Sequence, residues 1–276
     1  MEAAEYQRFT EELRRRLEED ERVVGLVALG SMARRDYAPD AFSDHDFFVV
    51  TRPGEQEHFR RETGWVPEAG TLVLWMRETA HGVKALFESG HLLEFAVFSP
   101  EELHLARVNR YRVLLDRWGM EETLAAVARH TAQQGSPDDG WLVGQFLTQL
   151  LTGTGRYARG ERLSGHSRVK EEALRHLVRL LARHVRSEHS ALLDDLDAVR
   201  RFERVFPGLG QELNAAVEQE TPQAALRMLD LAERELGEQL GAAFPTGAFT
   251  AVRARLRNLG DTHQDPRPEA LTHERG

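Results

Sequence analysis

Two aspartates flank a histidine at Asp44-His45-Asp46, directly ahead of the apolar run Phe47 to Val50. At the start of a strand, residues i and i+2 point to the same face. The two carboxylates would then stand side by side, about 6–7 Å apart at their roots. Acids so placed suit divalent cations, and a pair of Mg²⁺ ions about 3.5–4 Å apart serves an in-line attack on phosphorus. Upstream, the apolar run Val23 to Leu29 ends in Gly30-Ser31. A glycine lets phosphate approach the backbone with no Cβ in the way, and a serine brings a hydroxyl and amides at a helix start. His45 falls on the opposite face by strand alternation and reads as structural.

Taken in order, the stretch is strand, Gly-Ser, short helix, Ser-Asp-x-Asp, strand. That order resembles the signature of the polymerase β-like nucleotidyltransferase superfamily. Gly30 and Ser31 match its phosphate-side pair, and Asp44 and Asp46 match its metal-binding pair. The resemblance implies Mg²⁺, with two ions expected, and ATP or another nucleoside triphosphate as co-substrate. It also implies a third acid on a later strand. Glu94 lies inside the apolar run His91 to Phe98, where a carboxylate is costly unless paired or bound to a metal. By alternation it shares a face with Leu92, Ala96 and Phe98. Glu88 is the rival, in the turn-like Phe87-Glu88-Ser89-Gly90. Glu94 is therefore the expected third ligand or general base.

Basic residues are the other half of a triphosphate site. Arg34 and Arg35 follow Ser31 closely enough to reach a triphosphate. The densest basic stretch runs from Arg156 to Lys170, and Lys170 or Arg168 fits the cation that a helical domain contributes in the resembling enzymes. Only two of the 36 basic residues are lysines, Lys84 and Lys170, so arginine abundance carries little information. Asp138-Asp139-Gly140-Trp141 offers acids and a ring to a cationic substrate, although capping of a helix by Asp138 accounts for it more simply. The histidines at 130, 166, 176, 184 and 189 make no zinc-binding spacing.

The chain has 276 residues, room for one large or two ordinary domains. At 41% hydrophobic and 29% charged residues it reads as a soluble protein with a core. No apolar run is long enough to span a bilayer, the charged first residues lack the centre of a signal peptide, and there is no cysteine. A cytoplasmic location is the simplest expectation. A formal net charge of −9 gives no basic face for nucleic acid and is compatible with a cationic small substrate.

The elements that must position these residues follow from periodicity. Tyr6, Phe9, Leu13 and Leu17 make an amphipathic helix over 5–19. Strands are expected at 23–29, 47–51, 72–76, 82–87 and 92–98, with a short helix from Ser31 and another over 55–63. After Ser99-Pro100 helical patterns dominate, at about 101–108, 120–134, 138–158, 167–187, 195–205, 209–219, 222–241 and 248–259. The expected fold is thus α/β (α+β): a small mixed sheet with helices over 1–115, a helical bundle over 116–260, and a polar tail over 261–276. This layout looks like that of the aminoglycoside adenylyltransferases and lincosamide nucleotidyltransferases. It implies transfer of a nucleoside monophosphate, AMP most simply, to a hydroxyl of a small molecule such as an antibiotic. Nucleotidylation of a protein or a tRNA, and a silent nucleotide-binding copy of the fold, stay open from the sequence, as do the acceptor, the nucleobase and the oligomeric state, a homodimer included.

Overall fold

The computed structural model describes residues 2–33, 38–133, 137–194 and 196–261. The chain divides into two compact units, Met1–Gly135 and Ser136–Gly276. In the first, helix α1 (Ala3–Glu19) buries Tyr6, Phe9, Leu13 and Leu17, the 3-and-4 spacing that puts one apolar stripe toward a core. Strands β1 (Val23–Leu29), β2 (His45–Thr51), β3 (Leu72–Arg77), β4 (Gly82–Phe87), β5 (Leu92–Phe98) and β6 (Tyr111–Asp116) form one sheet in the order β3-β4-β5-β2-β1-β6. Only β2 and β5 pair in parallel; the other neighbours are antiparallel. Helix α2 (Gln56–Arg61) lies between β2 and β3 in the chain.

The sheet is packed on both faces. On one side His45, Phe47 and Val49 alternate toward α1, and Phe47 stacks on Phe95 at 5.1 Å between ring centroids. A fully buried phenylalanine of this kind contributes about 1.5–3 kcal/mol. On the other side Phe48, Val50 and Phe98 pack with Val27, Leu103 and Leu124. Leu124 belongs to α3 (Glu121–Gln133). The first unit therefore runs on past residue 115, because β6 completes the sheet beside β1 and α3 covers its second face.

Three local expectations are corrected. The segment 101–108 holds a single 3₁₀ turn, Leu103–Leu105, and not a helix. Strand β6 follows it, with Tyr111 and Leu115 buried and Val113 packed against the second core. Where a short helix from Ser31 was expected, the turn after β1 is 3₁₀ over Gly30–Ala33, with Ser31 inside it. The segment 195–205 forms helix only at its end, as α7 below.

The second unit is helical: α4 (Asp139–Ala158), α5 (Arg162–His166), α6 (Leu174–His184), α7 (Phe202–Val205), α8 (Pro207–Val217), α9 (Thr221–Leu240) and α10 (Thr246–Asp261). Its core gathers Leu142, Phe146, Leu150, Leu177, Leu181, Met228 and Phe249 among others. Asp138 caps α4 by accepting from Trp141 N at 2.8 Å. The helices break within the basic stretch as expected, but only over 159–161: α5 follows, and Ser167–Ala173 winds as a π-helix that continues α5 into α6, with Lys170 half-buried in it. The polar tail expected over 261–276 lies, from residue 262, outside the described residues. Among the described residues no helix is long and apolar enough to cross a membrane.

Candidate active site

The sheet register brings the first set of candidate residues together. Asp46 on β2 lies opposite Glu94 on β5, and Glu94 lies opposite Lys84 on β4. Residues opposite each other on neighbouring strands share a face. Lys84, Glu94 and Asp46 thus form one row across three adjacent strands, on the face of Phe48 and Val50 that turns away from α1. Glu94 sits in the interior of the sheet and not on an edge strand. Its side chain is not buried as the apolar run led one to expect: it is half-exposed and paired with Lys84. The Lys84 ammonium lies 3.0 Å from Glu94 Oε1 and 3.0 Å from Glu78 Oε1. Those two carboxylates hold the Lys84 pKa above its ordinary value, Glu78 most strongly.

Gly30 completes the row from the other side. Its φ is +46°, a left-handed conformation, and a Cβ built on it would stand 2.7 Å from Asp46 Oδ2. Glycine is therefore required twice, for the backbone angle and for the close approach of the Asp46 carboxylate. The turn that follows is anchored from β6: Arg112 donates to the Met32 carbonyl at 3.1 Å.

Asp44 stands just ahead of β2, half-buried, and its backbone is held by α1. Tyr6 donates its hydroxyl proton to the Asp44 carbonyl at 2.8 Å. Ser31 is buried, with Oγ 3.4 Å from the Tyr6 hydroxyl and 3.5 Å from the same carbonyl. Gly30 thus meets Asp46, Asp46 lies opposite Glu94, and Ser31 lies near the Asp44 backbone carbonyl. Arg34 lies outside the described residues, and Lys170 belongs to the second unit.

His45, between the two aspartates, is fully buried on the α1 side. Its ring stacks on Tyr6 at 3.7 Å. Thr10 Oγ1 donates to the Tyr6 carbonyl at 2.9 Å, which leaves it to accept from His45 Nε2–H at 2.9 Å. A neutral His45 then has a bare Nδ1, which accepts from His91 Nε2–H at 2.8 Å. The proton directions follow from satisfying the whole chain of bonds. Burial keeps both rings uncharged: desolvation, with His91 beside it, pushes His45 down to about 3, and desolvation brings His91 down to about 4. The histidine is structural, as strand alternation requires.

A cavity of ≈ 680 Å³ opens beside this region, walled by α1 through Glu5, Arg8 and Glu12, by Phe42 and Asp44, and by His91 at the head of β5. Its size suits a small ligand. Among the described residues Asp46 and Glu94 are not in its wall, because they face the other side of the sheet.

No group of three or more His, Asp or Glu among the described residues is placed to hold a metal ion. Glu94 is engaged with Lys84, so the expected three carboxylates do not form a closed cage. What remains fits a hard cation that takes one or two carboxylates and completes its shell with phosphate oxygens, which is the habit of Mg²⁺. Carboxylate oxygens are its preferred donors, and Gly30, with no Cβ, lets the Asp46 carboxylate approach the turn closely.

Sequence reasoning did not single out Lys84 as the partner of Glu94, nor Tyr6 as more than one residue of an apolar stripe. The isolation of Lys84, in a chain with two lysines, was the available signal. The Tyr6 hydroxyl left no trace in periodicity.

The family model for the nucleotidyltransferase domain matches residues 10–124. No curated protein matches the chain. Among solved structures, an aminoglycoside 6-adenyltransferase from Bacillus subtilis aligns over 91% of this chain and 97% of its own, at 14% identity and a TM-score of 0.38. A STING-associated CdnE c-di-GMP synthase from Capnocytophaga granulosa aligns over 94% and 80%, at 11% identity and 0.30. The CD-NTase CdnG of Bradyrhizobium diazoefficiens, in complex with GTP, aligns over 94% and 85%, at 11% identity and 0.26. These structural likenesses are too faint to carry an argument about function.

Proposed function

We propose that this chain, whose residues 10–124 match the nucleotidyltransferase domain, is a nucleotidyltransferase of the polymerase β-like superfamily and moves a nucleoside monophosphate, AMP most simply, from a triphosphate to a hydroxyl of a small molecule. An aminoglycoside or a lincosamide is the acceptor class that the two-part layout suggests. The observation that carries the reading is the row Asp46–Glu94 across β2 and β5, with Gly30 packed against the Asp46 carboxylate.

Asp44 and Asp46 would hold Mg²⁺, which when bound neutralises charge on the triphosphate. The Gly30-Ser31 turn would hold the β and γ phosphates, with the Ser31 hydroxyl as a donor. Arg34, three residues after Ser31 in the chain, is a proposed further cation for the triphosphate. The acceptor oxygen attacks the α-phosphorus, the bond from that phosphorus to the bridging oxygen breaks, and pyrophosphate leaves. The acceptor proton passes to a carboxylate, for which Glu94 is the candidate. Lys84 pairs with Glu94, while Glu78 shares the ammonium. Positioning and charge neutralisation supply most of the acceleration in such a transfer. The net charge of −9 favours a cationic acceptor over a nucleic acid.

The test is incubation of the full chain with α-labelled ATP or GTP, Mg²⁺ and a panel of aminoglycosides and lincosamides. The expected result is a product heavier by one nucleoside monophosphate and stoichiometric pyrophosphate. Label found only on a protein or an RNA would refute the small-molecule reading. Absence of transfer to any partner, with triphosphate still bound, would point to a silent copy.

A further inference from the structure

The Tyr6 hydroxyl touches both halves of the signature. It donates to the Asp44 carbonyl at 2.8 Å, on the metal side, and lies 3.4 Å from Ser31 Oγ, on the phosphate side. Ser31 Oγ is itself 3.5 Å from the same carbonyl. One acceptor thus has two donors within reach, and Tyr6 makes the shorter bond. A tyrosine hydroxyl has one proton. With that proton committed to Asp44, the Ser31 proton faces only contacts at the outer limit of hydrogen bonding. Tyr6 cannot swing away: it is 1% exposed and its ring is stacked on the buried His45. It also lies ahead of residues 10–124, outside the matched domain.

We infer that Tyr6 is a positioning residue for the triphosphate. By satisfying the Asp44 carbonyl, it leaves the Ser31 O–H to donate to a phosphate oxygen. The inference rests on the function proposed above. In Tyr6→Phe the ring and its stacking remain, but a carbonyl in a part-buried place loses its donor. Leaving such a group unpaired is unfavourable, so Ser31 turns its proton to Asp44 and withdraws it from the ligand.

The experiment is calorimetric titration of the full chain with Mg²⁺ and α,β-methylene-ATP, repeated with α,β-methylene-GTP, for wild type, Tyr6→Phe, Ser31→Ala and the double variant, with thermal unfolding of each. Tyr6→Phe is expected to weaken triphosphate binding by roughly 3- to 10-fold, the loss of one ordinary hydrogen bond. The double variant is expected to bind no more weakly than Ser31→Ala, since both changes remove the same donor. A merely structural role would instead lower the unfolding midpoint and add its effect on binding to that of Ser31→Ala. Wild-type binding with Tyr6→Phe unchanged, or with additive losses, would overturn the inference and leave the proposed function standing. A wild-type chain that binds neither triphosphate would overturn both.

Discussion

Gly30→Ala should damage stability and turnover by two separable routes. Gly30 has φ +46°, and alanine in the left-handed region costs about 1–2 kcal/mol. At roughly 2–4 °C per kcal/mol for a chain of this size, the unfolding midpoint should fall by roughly 2–8 °C. The second route is local. The new Cβ would stand 2.7 Å from Asp46 Oδ2, where ordinary van der Waals contact begins at 3.4 Å. The Asp46 carboxylate must therefore shift by roughly 0.7 Å, a scale of misplacement that costs turnover on the order of 10²-fold. Gly54 provides the control, because it has φ +92° but a Cβ there meets nothing within 4 Å. Gly54→Ala should show a backbone cost of similar size and unchanged pyrophosphate release. Scanning calorimetry reads the first effect, and a pyrophosphate assay with an accepted hydroxyl substrate reads the second. A Gly30→Ala enzyme with wild-type turnover, or a Gly54→Ala enzyme equally impaired, would refute the steric reasoning.

Glu94→Gln should keep triphosphate affinity while turnover falls by roughly 10²–10⁴-fold, the range for losing a positioned acid–base group; unchanged single-turnover rates would remove Glu94 from the chemistry. Lys84→Met should change stability by less than about 1 kcal/mol, as for other solvent-accessible ion pairs, and should lower the Mg²⁺ concentration for half-maximal turnover by releasing Glu94, a shift that a Mg²⁺ titration would detect. His91 is held neutral in the fold at about 4, whereas an unfolded histidine titrates near about 6.5. The unfolded chain takes up that proton first. The contribution is thus complete above about pH 6.5 and is lost toward pH 4 at about 1.4 kcal/mol per pH unit. Urea midpoints at pH 7 and pH 5 should differ accordingly, and the fall should be shallower in His91→Gln.

Much of the first unit was legible because its signals are local. The stripe of Tyr6, Phe9, Leu13 and Leu17 and the apolar runs of β1, β4 and β5 mark their elements nearly to the residue. Strand β6 was missed because Tyr-Arg-Val-Leu-Leu-Asp carries only a broken alternation, and its pairing with β1 spans a long stretch of chain. The same limit applies at the site. That Glu94 faces Asp46 is a matter of register between β2 and β5, for which one sequence gives only a candidate acid in an apolar run. That Lys84 neutralises Glu94 adds a third strand. The role of Tyr6 depends on where one hydroxyl falls after α1 has docked on the sheet. Residues 195–205 misled in the opposite direction, since helical periodicity there yields one short helix, Phe202–Val205.

The account turns on Asp44 and Asp46 meeting a cation and a triphosphate together. Crystals of the full chain grown with Mn²⁺ and α,β-methylene-ATP or -GTP, measured at the manganese edge, test this most directly. The account predicts an anomalous peak bonded to the Asp44 and Asp46 carboxylates and to phosphate oxygens, with the β and γ phosphates on the Gly30-Ser31 turn, and no peak in Asp46→Asn. A triphosphate bound elsewhere, or on that turn with the ion away from both aspartates, would contradict it.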